Sequence, residues 1–242
     1  MHDFIVQHFP VAQAGKAGIF ALFSYVEAAQ KGYTSPMQKP RLGIFGGTFD
    51  PPHLGHLILA SEIRSQLKLD RLLWVLTAIP PHKLGRTITP LEHRLAMVNL
   101  AIDDNPHFEL SRIEIDREGP HYAIDTLDLL KEENPDTDLI YVMGGDSLHD
   151  LLSWHRPADI VAASHEIGVM RRPGDFVDLS KLDMAIPNLR SKLRYVDAPL
   201  LEIASSGIRL RAAKGLPIQY YLPIPVYDYI QEYGLYDFKP LG

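Results

Sequence analysis

Strand-like segments alternate with segments of helical periodicity from residue 41 onward. The strand pattern occurs at Arg41–Phe45, Leu72–Thr77, Phe108–Ile115, Leu139–Met143 and Ile167–Met170. Helical spacing of apolar residues predicts helices at Gly55–Lys68, Leu91–Ile102, Ala123–Glu132, Ala158–Ala163, Ser206–Ala213 and Pro225–Glu232. Buried strands that alternate with helices favour an α/β fold built on a parallel sheet. A ligand of such a sheet binds at the carboxyl ends of the strands, where the strand order reverses.

Composition narrows the class of protein. The 242 residues are 46% hydrophobic and 22% charged, which suits one large or two small domains and excludes disorder as the main state. The net charge of −6 has the wrong sign for a strongly basic nucleic-acid binder. The absence of cysteine excludes disulfides, thiolate metal ligands and cysteine nucleophiles. No apolar run approaches the roughly 18–20 residues of a membrane span, and no signal peptide begins the sequence, so we expect a cytoplasmic protein without a membrane partner.

The first 36 residues differ from the rest. They are rich in Ala and Gln and end in Tyr33-Thr34-Ser35-Pro36, and Met37 stands just before the regular pattern. We therefore interpret residues 1–36 as an N-terminal extension and residues 37–242 as the folded domain, with Met37 as a candidate translation start. A helix around Ile19–Gln30 that packs on the domain or on a partner is the alternative.

The segment Gly43–His56 carries the strongest chemical signal. It joins a strand to a helix through Gly46, Gly47 and a proline-containing turn. Glycines at a strand end let backbone N–H groups approach a phosphate, and the N-terminus of the next helix adds further N–H groups and a positive dipole. His53 and His56 share a face of the first helical turn, where imidazoles can donate hydrogen bonds to phosphate oxygens.

Other interpretations of this segment explain less. It lacks the dinucleotide fingerprint G-x-G-x-x-G, and the P-loop motif occurs nowhere in the chain. Asp50, His53 and His56 offer metal-binding atoms, but no fourth ligand has a suitable spacing, so we predict no metal held by the protein. A Gly/Pro turn with incidental histidines would explain an isolated H-x-x-H, but not the whole segment.

These residues resemble the T/H-x-G-H signature of the nucleotidyltransferase superfamily, which is related to class I aminoacyl-tRNA synthetases. Gly46–His53 is more closely similar to bacterial nicotinate-nucleotide adenylyltransferases. Between residues 40 and 237 further segments match that family in order and at compatible spacing: Ile79–Lys83, Arg117–Tyr122, Gly144–Ser147, Trp154, Arg171–Gly174, Ala204–Arg209 and Leu222–Tyr236. The resemblance implies a Rossmann-like parallel sheet of the HIGH-type nucleotidyltransferase fold.

The resemblance also implies an enzyme of NAD biosynthesis that transfers the adenylyl group of ATP to nicotinate mononucleotide, giving deamido-NAD and pyrophosphate. The attacking phosphate is already an anion, so catalysis would consist of positioning and charge neutralisation without a general base. Mg²⁺ is expected on the ATP phosphates. Two alternatives stay open: an adenylyltransferase for nicotinamide mononucleotide or pantetheine phosphate, and a non-catalytic nucleotide-binding regulator. A homo-oligomer is also open.

Site residues follow from the matching motifs. Catalysis is assigned to His53, His56 and Arg209; ATP binding to Gly46, Gly47, Thr48, Phe49, Gly145, Asp146, Ser205, Ser206 and Arg209; and mononucleotide binding to Lys83, Tyr122, Ala123 and Trp154. Several of them have a physical reading of their own. Ser206 can cap the helix that carries Arg209, whose planar fork suits the β- and γ-phosphates. Asp146 can accept from a ribose hydroxyl and cap the next helix. Trp154 can stack on a pyridine ring, and Lys83 lies on a proline-rich loop that can cover phosphates. Without the resemblance, Trp154 would be interpreted as a core residue, and Lys83 and Arg209 as solvated surface cations.

Three positions depart from the family pattern. The serine after the loop proline is His121 here, the threonine after the tyrosine is Ala123, and the first serine of the serine-rich motif is Ala204. The first two changes affect contacts to the pyridine carboxylate. Backbone N–H groups at Tyr122–Ile124, at the start of a predicted helix, remain available to an anion. We therefore expect nicotinate mononucleotide to be preferred over nicotinamide mononucleotide.

We predict that a chain beginning at Met37 folds and keeps its activity, because residues 1–36 lie outside the resemblance. Thermal melting and the adenylyl-transfer rate would be compared between the shortened and the full chain. Insolubility, or a large fall in melting temperature, would instead show that the extension is structural.

Overall fold

A computed structural model describes residues 39–78, 88–171, 178–199 and 201–237. A six-stranded sheet runs through this part of the chain, and all of its strands are parallel. The strands are β1 (Arg41–Gly47), β2 (Arg71–Leu76), β3 (Phe108–Ser111), β4 (Asp138–Gly144), β5 (Glu166–Arg171) and β6 (Leu193–Asp197). Their order is β3-β2-β1-β4-β5-β6, so the order reverses between β1 and β4. The predicted parallel α/β fold is confirmed, and its ligand site is expected beyond the ends of these two strands.

The helices between the strands are α1 (Leu54–Gln66), α2 (Leu91–Ile102), α3 (Ala123–Glu133), α4 (Gly145–His149), α5 (Pro157–Ala163), α6 (Ser180–Ala185) and α7 (Leu189–Lys192). Two more, α8 (Ser205–Ala213) and α9 (Ile224–Glu232), follow β6. Within the described residues, each helix predicted from the sequence is present within two residues of its expected bounds. The sequence did not predict β6, α4, α6 and α7, because elements of four to six residues are too short to show a period. None of the helices in the described ranges is long and apolar enough to span a lipid bilayer.

Several predicted features lie outside the described residues. These are the extension 1–36, the proline-rich segment with Lys83, and residues 172–174 of the Arg171–Gly174 motif. Their proposed roles stay predictions.

The predicted strand Phe108–Ile115 is too long, since β3 ends at Ser111. The carbonyl of Arg112 accepts hydrogen bonds from the N–H groups of Ile115 and Asp116 at 2.7 and 3.0 Å, which turns the chain. The turn buries Glu114, a residue that an uninterrupted strand would have placed elsewhere.

Side chains of the central strands alternate between two apolar layers. Phe45 and Trp74 pack on one face of the sheet with residues of α1, α2, α8 and α9. Ile44 and Val75 pack on the other face with α3 and with Ile160 of α5. This is the two-residue alternation of a strand covered on both sides. The two helix layers fix the sheet, and the carboxyl ends of its strands stay open for the site.

A charged residue lies on the buried face of α2. The sequence predicts one apolar stripe through Leu91, Leu95, Val98 and Ile102. Val98 and Ile102 are buried, as predicted, whereas Leu91 and Leu95 are only half-buried. The buried face also includes Arg94 and Met97. Hydropathy alone could not place Arg94 there, because it counts arginine as a solvent-facing residue.

The guanidinium of Arg94 donates to four backbone carbonyls. Nε donates to Thr89 at 2.9 Å, Nη1 to Thr48 and Thr77 at 3.2 and 2.8 Å, and Nη2 to Ala78 at 3.0 Å. Thr48 follows β1, Thr77 and Ala78 follow β2, and Thr89 precedes α2. One side chain therefore joins three segments at the carboxyl edge of the sheet.

We predict that Arg94→Met lowers the free energy of unfolding by about 3–5 kcal/mol, because four partly buried carbonyls each lose a hydrogen bond and the buried Asp50 carboxylate loses its counter-charge. Arg71→Met is the matched control, since the ion pair of Arg71 with Glu109 is largely exposed. It should cost at most about 1 kcal/mol. Urea unfolding of both variants measures the difference, and similar losses in the two would contradict the role given to Arg94.

Candidate active site

Two cavities open beyond the carboxyl ends of β1 and β4. Both are lined by Phe45, Gly46, Thr48 and Met170, so they share a wall. The first, about 460 Å³, we call the histidine cavity; its other lining residues include Phe49, Asp50, His53, His56, Ser205, Ser206 and Arg209. The second, about 440 Å³, we call the aromatic cavity; its other lining residues include Gly47, Glu114, His121, Tyr122, Ala123, Tyr141, Trp154 and His155. The predicted site residues are thus brought together at the expected edge of the sheet, with the exceptions given below.

His53 and His56 cap α1 reciprocally. Nδ1 of His53, the N-cap residue, accepts from the N–H of His56 at 3.3 Å, and Nδ1 of His56 accepts from the N–H of His53 at 3.2 Å. The two rings stack with their centroids 3.7 Å apart. Because Nδ1 is an acceptor in both neutral rings, the proton of each lies on Nε2, and each ring can donate through that atom.

His53 is held in its neutral form. Its side chain is buried, and burial lowers its pKa to about 4. A Cβ atom at Gly55 would lie 3.0 Å from Nδ1 of His53, so a side chain there would press against the ring. At neutral pH the histidine pair therefore supplies hydrogen-bond donors without requiring a counter-charge.

An aromatic cluster supports His56. The ring of His56 meets Phe49 edge-on, with the centroids 5.1 Å apart, and lies 6.3 and 6.5 Å from those of Phe45 and Trp74. Phe49 adopts a left-handed backbone conformation with φ of 47°. A Cβ atom at Gly47 would lie 2.7 Å from the Phe49 ring. Gly47 therefore makes room for Phe49 and, through it, for the placement of His56.

The start of α8 forms the opposite wall of the histidine cavity. The helix begins at Ser205, and its N-cap is Ala204, which makes no side-chain capping bond. The predicted cap by Ser206 is wrong, because Ser206 already lies inside the helix. Ser205 Oγ donates to the carbonyl of Pro51 at 2.8 Å and ties α8 to the loop after β1.

Asp50 connects this wall to neighbouring segments through hydrogen bonds. Its carboxylate is buried; Oδ1 accepts from the Tyr236 hydroxyl at 2.8 Å, and Oδ2 accepts from the N–H of Thr89 at 3.2 Å. Arg209 donates to the backbone carbonyl of Asp50, and Nη1 of Arg209 lies 3.8 Å from Oδ2. Burial, followed by the Asp50 carboxylate, raises the pKa of Tyr236, so its hydroxyl stays a donor. Asp50 is thereby placed to orient Arg209.

Aromatic rings line much of the second cavity. Tyr122 stacks on His155 with centroids 4.2 Å apart, and Trp154 meets Tyr141 edge-on at 6.2 Å. Tyr122, Ala123 and Trp154 line this cavity together, as the sequence predicted. The sequence did not single out Tyr141 or His155, because neither falls in a motif whose residue type indicates chemistry.

Gly145 and Asp146 lie beside the aromatic cavity at the start of α4. Among the described residues that line it are their neighbours Gly144 and Ser147, but not Gly145 or Asp146. The N-cap of α4 is Gly144. The predicted capping role of Asp146 is therefore wrong, because β4 continues to Gly144 and the helix begins directly after it. The Asp146 side chain is exposed.

Glu114 is a site residue that the sequence missed. It is buried in the aromatic cavity, where Oε1 accepts from Thr126 Oγ1 at 2.9 Å. Its Oε2 is buried and has no hydrogen-bond partner within the described parts of the chain. Burial raises the pKa of Glu114. The sequence does not predict that Glu114 lines this cavity, because the strand-like alternation of Phe108–Ile115 gives no sign of the turn at Arg112.

Comparison with known proteins gives the family. Residues 44–211 match the cytidylyltransferase-like family. A probable nicotinate-nucleotide adenylyltransferase of Thermomicrobium roseum is 48% identical over 196 residues, which cover 81% of this chain and 91% of the relative. One of Bacillus pumilus is 40% identical over 197 residues, covering 81% and 98%. The chain belongs to the nicotinate-nucleotide adenylyltransferase family.

A solved structure supports the fold of this adenylyltransferase family member. The nicotinic acid mononucleotide adenylyltransferase of Plasmodium falciparum, complexed with NaAD, matches with a TM-score of 0.69. The match covers 83% of this chain and 98% of the other at 24% sequence identity. At that identity the likeness establishes the shared fold.

We predict that His53 makes the stability of this adenylyltransferase family member pH-dependent. Its folded-state pKa of about 4 lies below the ordinary value of 6.5, so between these values the unfolded chain binds a proton that the folded chain does not. The free energy of unfolding should therefore fall as pH decreases from 6.5 to 4, by about 3 kcal/mol over the full range.

His53→Asn keeps a capping acceptor and removes the titration, so its unfolding free energy should depend less on pH. His149→Asn is the control, since the side chain of His149 is 74% exposed. Urea unfolding at several pH values provides the measurement. Identical pH dependence in His53→Asn and the unsubstituted protein would refute the assignment.

Proposed function

We propose that the chain transfers the adenylyl group of ATP to nicotinate mononucleotide, releasing pyrophosphate and forming deamido-NAD for NAD biosynthesis. The observation that carries this proposal is the wall shared by two cavities of different character. One is lined by hydrogen-bond donors and the other by aromatic rings. Two substrates whose phosphates must meet would enter from opposite sides of this wall.

The histidine cavity suits the ATP phosphates. His53 and His56 donate from one wall, and the N-terminus of α1 adds a positive dipole end. Arg209 offers a planar set of donors from the facing wall, beside Ser205 and Ser206 at the start of α8. These groups favour a polyanion in this space.

The aromatic cavity suits the pyridine mononucleotide. Trp154 and Tyr122 present ring surfaces on which a pyridine can stack. The 5′-phosphate would reach the shared wall at Gly46 and Thr48. A Cβ atom at Gly46 would meet nothing within 4 Å, so the backbone there is open to a ligand. Lys83, outside the described residues, stays a proposed mononucleotide contact.

The reaction needs positioning more than proton transfer. An oxygen of the 5′-phosphate attacks the α-phosphorus of ATP, and the bond from that phosphorus to the oxygen bridging to the β-phosphate breaks. Charge that builds up on the transferred group and on pyrophosphate is met by the histidine N–H groups and by Arg209. The low pKa of His53 is compatible with this role, because the ring serves as a donor and no proton has to be removed.

Mg²⁺ would enter with ATP and neutralise phosphate charge. Within the described ranges no three His, Cys, Asp or Glu side chains come together as a metal site. Both carboxylate oxygens of Asp50 already accept hydrogen bonds. The donors present instead fit the phosphate oxygens, which would hold the ion with water. We propose the cytoplasm as the compartment in which these substrates are used.

The direct test is pyrophosphate release with ATP and each of three acceptors: nicotinate mononucleotide, nicotinamide mononucleotide and pantetheine phosphate. Activity that is highest with nicotinate mononucleotide supports the proposal. Highest activity with either other acceptor would reassign the substrate. ATP binding without turnover of any acceptor would favour a nucleotide-binding regulator.

We predict that His56→Ala and His56→Asn both lower kcat by about 10²–10³, since alanine has no side-chain donor and the shorter asparagine amide does not reach the position of the imidazole Nε2–H. KM for ATP should change less, because the contact strengthens in the transition state. Asparagine keeps an acceptor for the N–H of His53, so the Asn variant should retain more of the melting temperature. Near-normal kcat in the Asn variant would exclude a catalytic role for the imidazole.

A further inference from the structure

The turn Leu235–Asp237 brings a tyrosine hydroxyl to Asp50. This turn packs against α8, the helix that carries Arg209, and against α9. The ring of Tyr236 packs on the apolar layer that α1, α2, α8 and α9 form with the sheet, and its hydroxyl donates to Oδ1 of Asp50 at 2.8 Å. The family-like segment Leu222–Tyr236 lines neither cavity within the described parts of the chain. Its connection to the site therefore runs through Asp50.

The backbone of this turn is unusual. Gly234, Tyr236 and Asp237 have φ of 58°, 65° and 54°, all in the left-handed region. That region is unfavourable for a residue with a side chain, and such a residue stays there only where surrounding contacts hold it. In this conformation the Tyr236 hydroxyl reaches the buried carboxylate of Asp50. An unfavourable conformation of this kind points to a function of the contact that it accompanies.

The Asp50 carboxylate is shared between two arginines. Its negative charge opposes the buried guanidinium of Arg94, and its Oδ2 lies 3.8 Å from Nη1 of Arg209. The same Nη1 donates to the backbone carbonyl of Asp50, so Nε and Nη2 of Arg209 can donate to phosphate oxygens. A phosphate in the histidine cavity and the Asp50 carboxylate would therefore compete for one guanidinium.

Two neutral donors fix the direction of the carboxylate. The Tyr236 hydroxyl donates to Oδ1, and the N–H group of Thr89 donates to Oδ2 at 3.2 Å. Without the bond at Oδ1, the carboxylate could rotate and present both oxygens to Arg209, because the paired contact of a carboxylate with a guanidinium is the strong one. That pairing would draw the Arg209 donors away from the cavity.

We propose that Tyr236 is a positioning residue for ATP: by occupying Oδ1 of Asp50, it keeps the Arg209 guanidinium available to the β- and γ-phosphates. This inference rests on the proposed function, because it requires the ATP phosphates to lie in the histidine cavity. Among the described residues that line this cavity are Asp50 and Arg209, but not Tyr236. Tyr236 thus acts through these two residues and not through contact with the substrate.

The test removes the hydroxyl and leaves the ring. We expect Tyr236→Phe to lower kcat/KM for ATP by about 3- to 10-fold, as for the loss of one hydrogen bond, mainly through KM. KM for nicotinate mononucleotide should change by less than about twofold. Tyr236→para-aminophenylalanine keeps the ring and offers an N–H donor in place of the hydroxyl, so it should restore most of the loss. Tyr233→Phe is the matched control, since Tyr233 is an exposed tyrosine of the same segment, and it should change neither constant.

A second background shows whether Arg209 transmits the effect. Arg209→Met removes the guanidinium, and the partial exposure of this side chain makes the change compatible with folding. In the Arg209→Met protein, adding Tyr236→Phe should change kcat/KM for ATP by less than about twofold, because the group on which Tyr236 acts is absent. Calorimetric titration with ATP makes the same comparison for binding alone, and melting curves show whether each variant folds.

Four results would overturn the inference. Unchanged kcat/KM for ATP in Tyr236→Phe, or failure of that variant to fold, would mean that the bond only holds the C-terminal segment in place. An equal loss in the Arg209→Met background would mean that Tyr236 acts by another route. No recovery with para-aminophenylalanine, at normal melting, would mean that donation to Asp50 is not what ATP use requires.

Failure of the proposed function gives a different result. In that case the unsubstituted protein turns over no acceptor, and titration with ATP still tests Tyr236. Weaker ATP binding in Tyr236→Phe then supports the inference, whereas equal or absent ATP binding in both proteins overturns it.

Discussion

The buried guanidinium of Arg94 is the constraint on which the site depends. Four carbonyls from three segments accept hydrogen bonds from it, and each would lose that bond if the side chain moved. Its positive charge is opposed by Asp50, which in turn accepts from Tyr236 and from the segment before α2. Arg94 and Asp50 therefore fix the loop after β1. This loop carries several of the residues that line the histidine cavity.

The histidine cavity provides hydrogen-bond donors from neutral imidazole rings, which do not require the burial of a charge. Two histidines cap each other, stack and remain neutral, so the cavity does not need a buried counter-charge when it is empty of substrate. Gly47 leaves space for the Phe49 ring and Gly55 leaves space for the His53 ring, whereas the backbone at Gly46 is open to the cavity. Glycines of one motif thus meet different steric requirements, and the motif itself does not show which glycine meets which.

The sequence predicted the architecture well where a period or a motif was long enough. The bounds of α2 and the burial of Val98 and Ile102 were predicted correctly, but the burial of Arg94 was not, because it depends on hydrogen bonds that no hydropathy scale contains. The histidine and serine motifs led to one cavity, and Tyr122 with Trp154 led to the other. Glu114 escaped prediction because a local turn places it in the site. The burial of His121 is a property of three-dimensional packing, although the residue itself was visible as a departure from the family.

The hydrogen bond from Tyr236 to Asp50 also orders events during synthesis. The two residues are separated by 186 positions in the chain. A nascent polypeptide can therefore complete the floor beneath Arg209 only after residue 236 has left the ribosome. Until then, the Asp50 carboxylate lacks the hydrogen bond that the Tyr236 hydroxyl donates. The fully organised histidine cavity therefore forms only after almost all of the described chain has been synthesised.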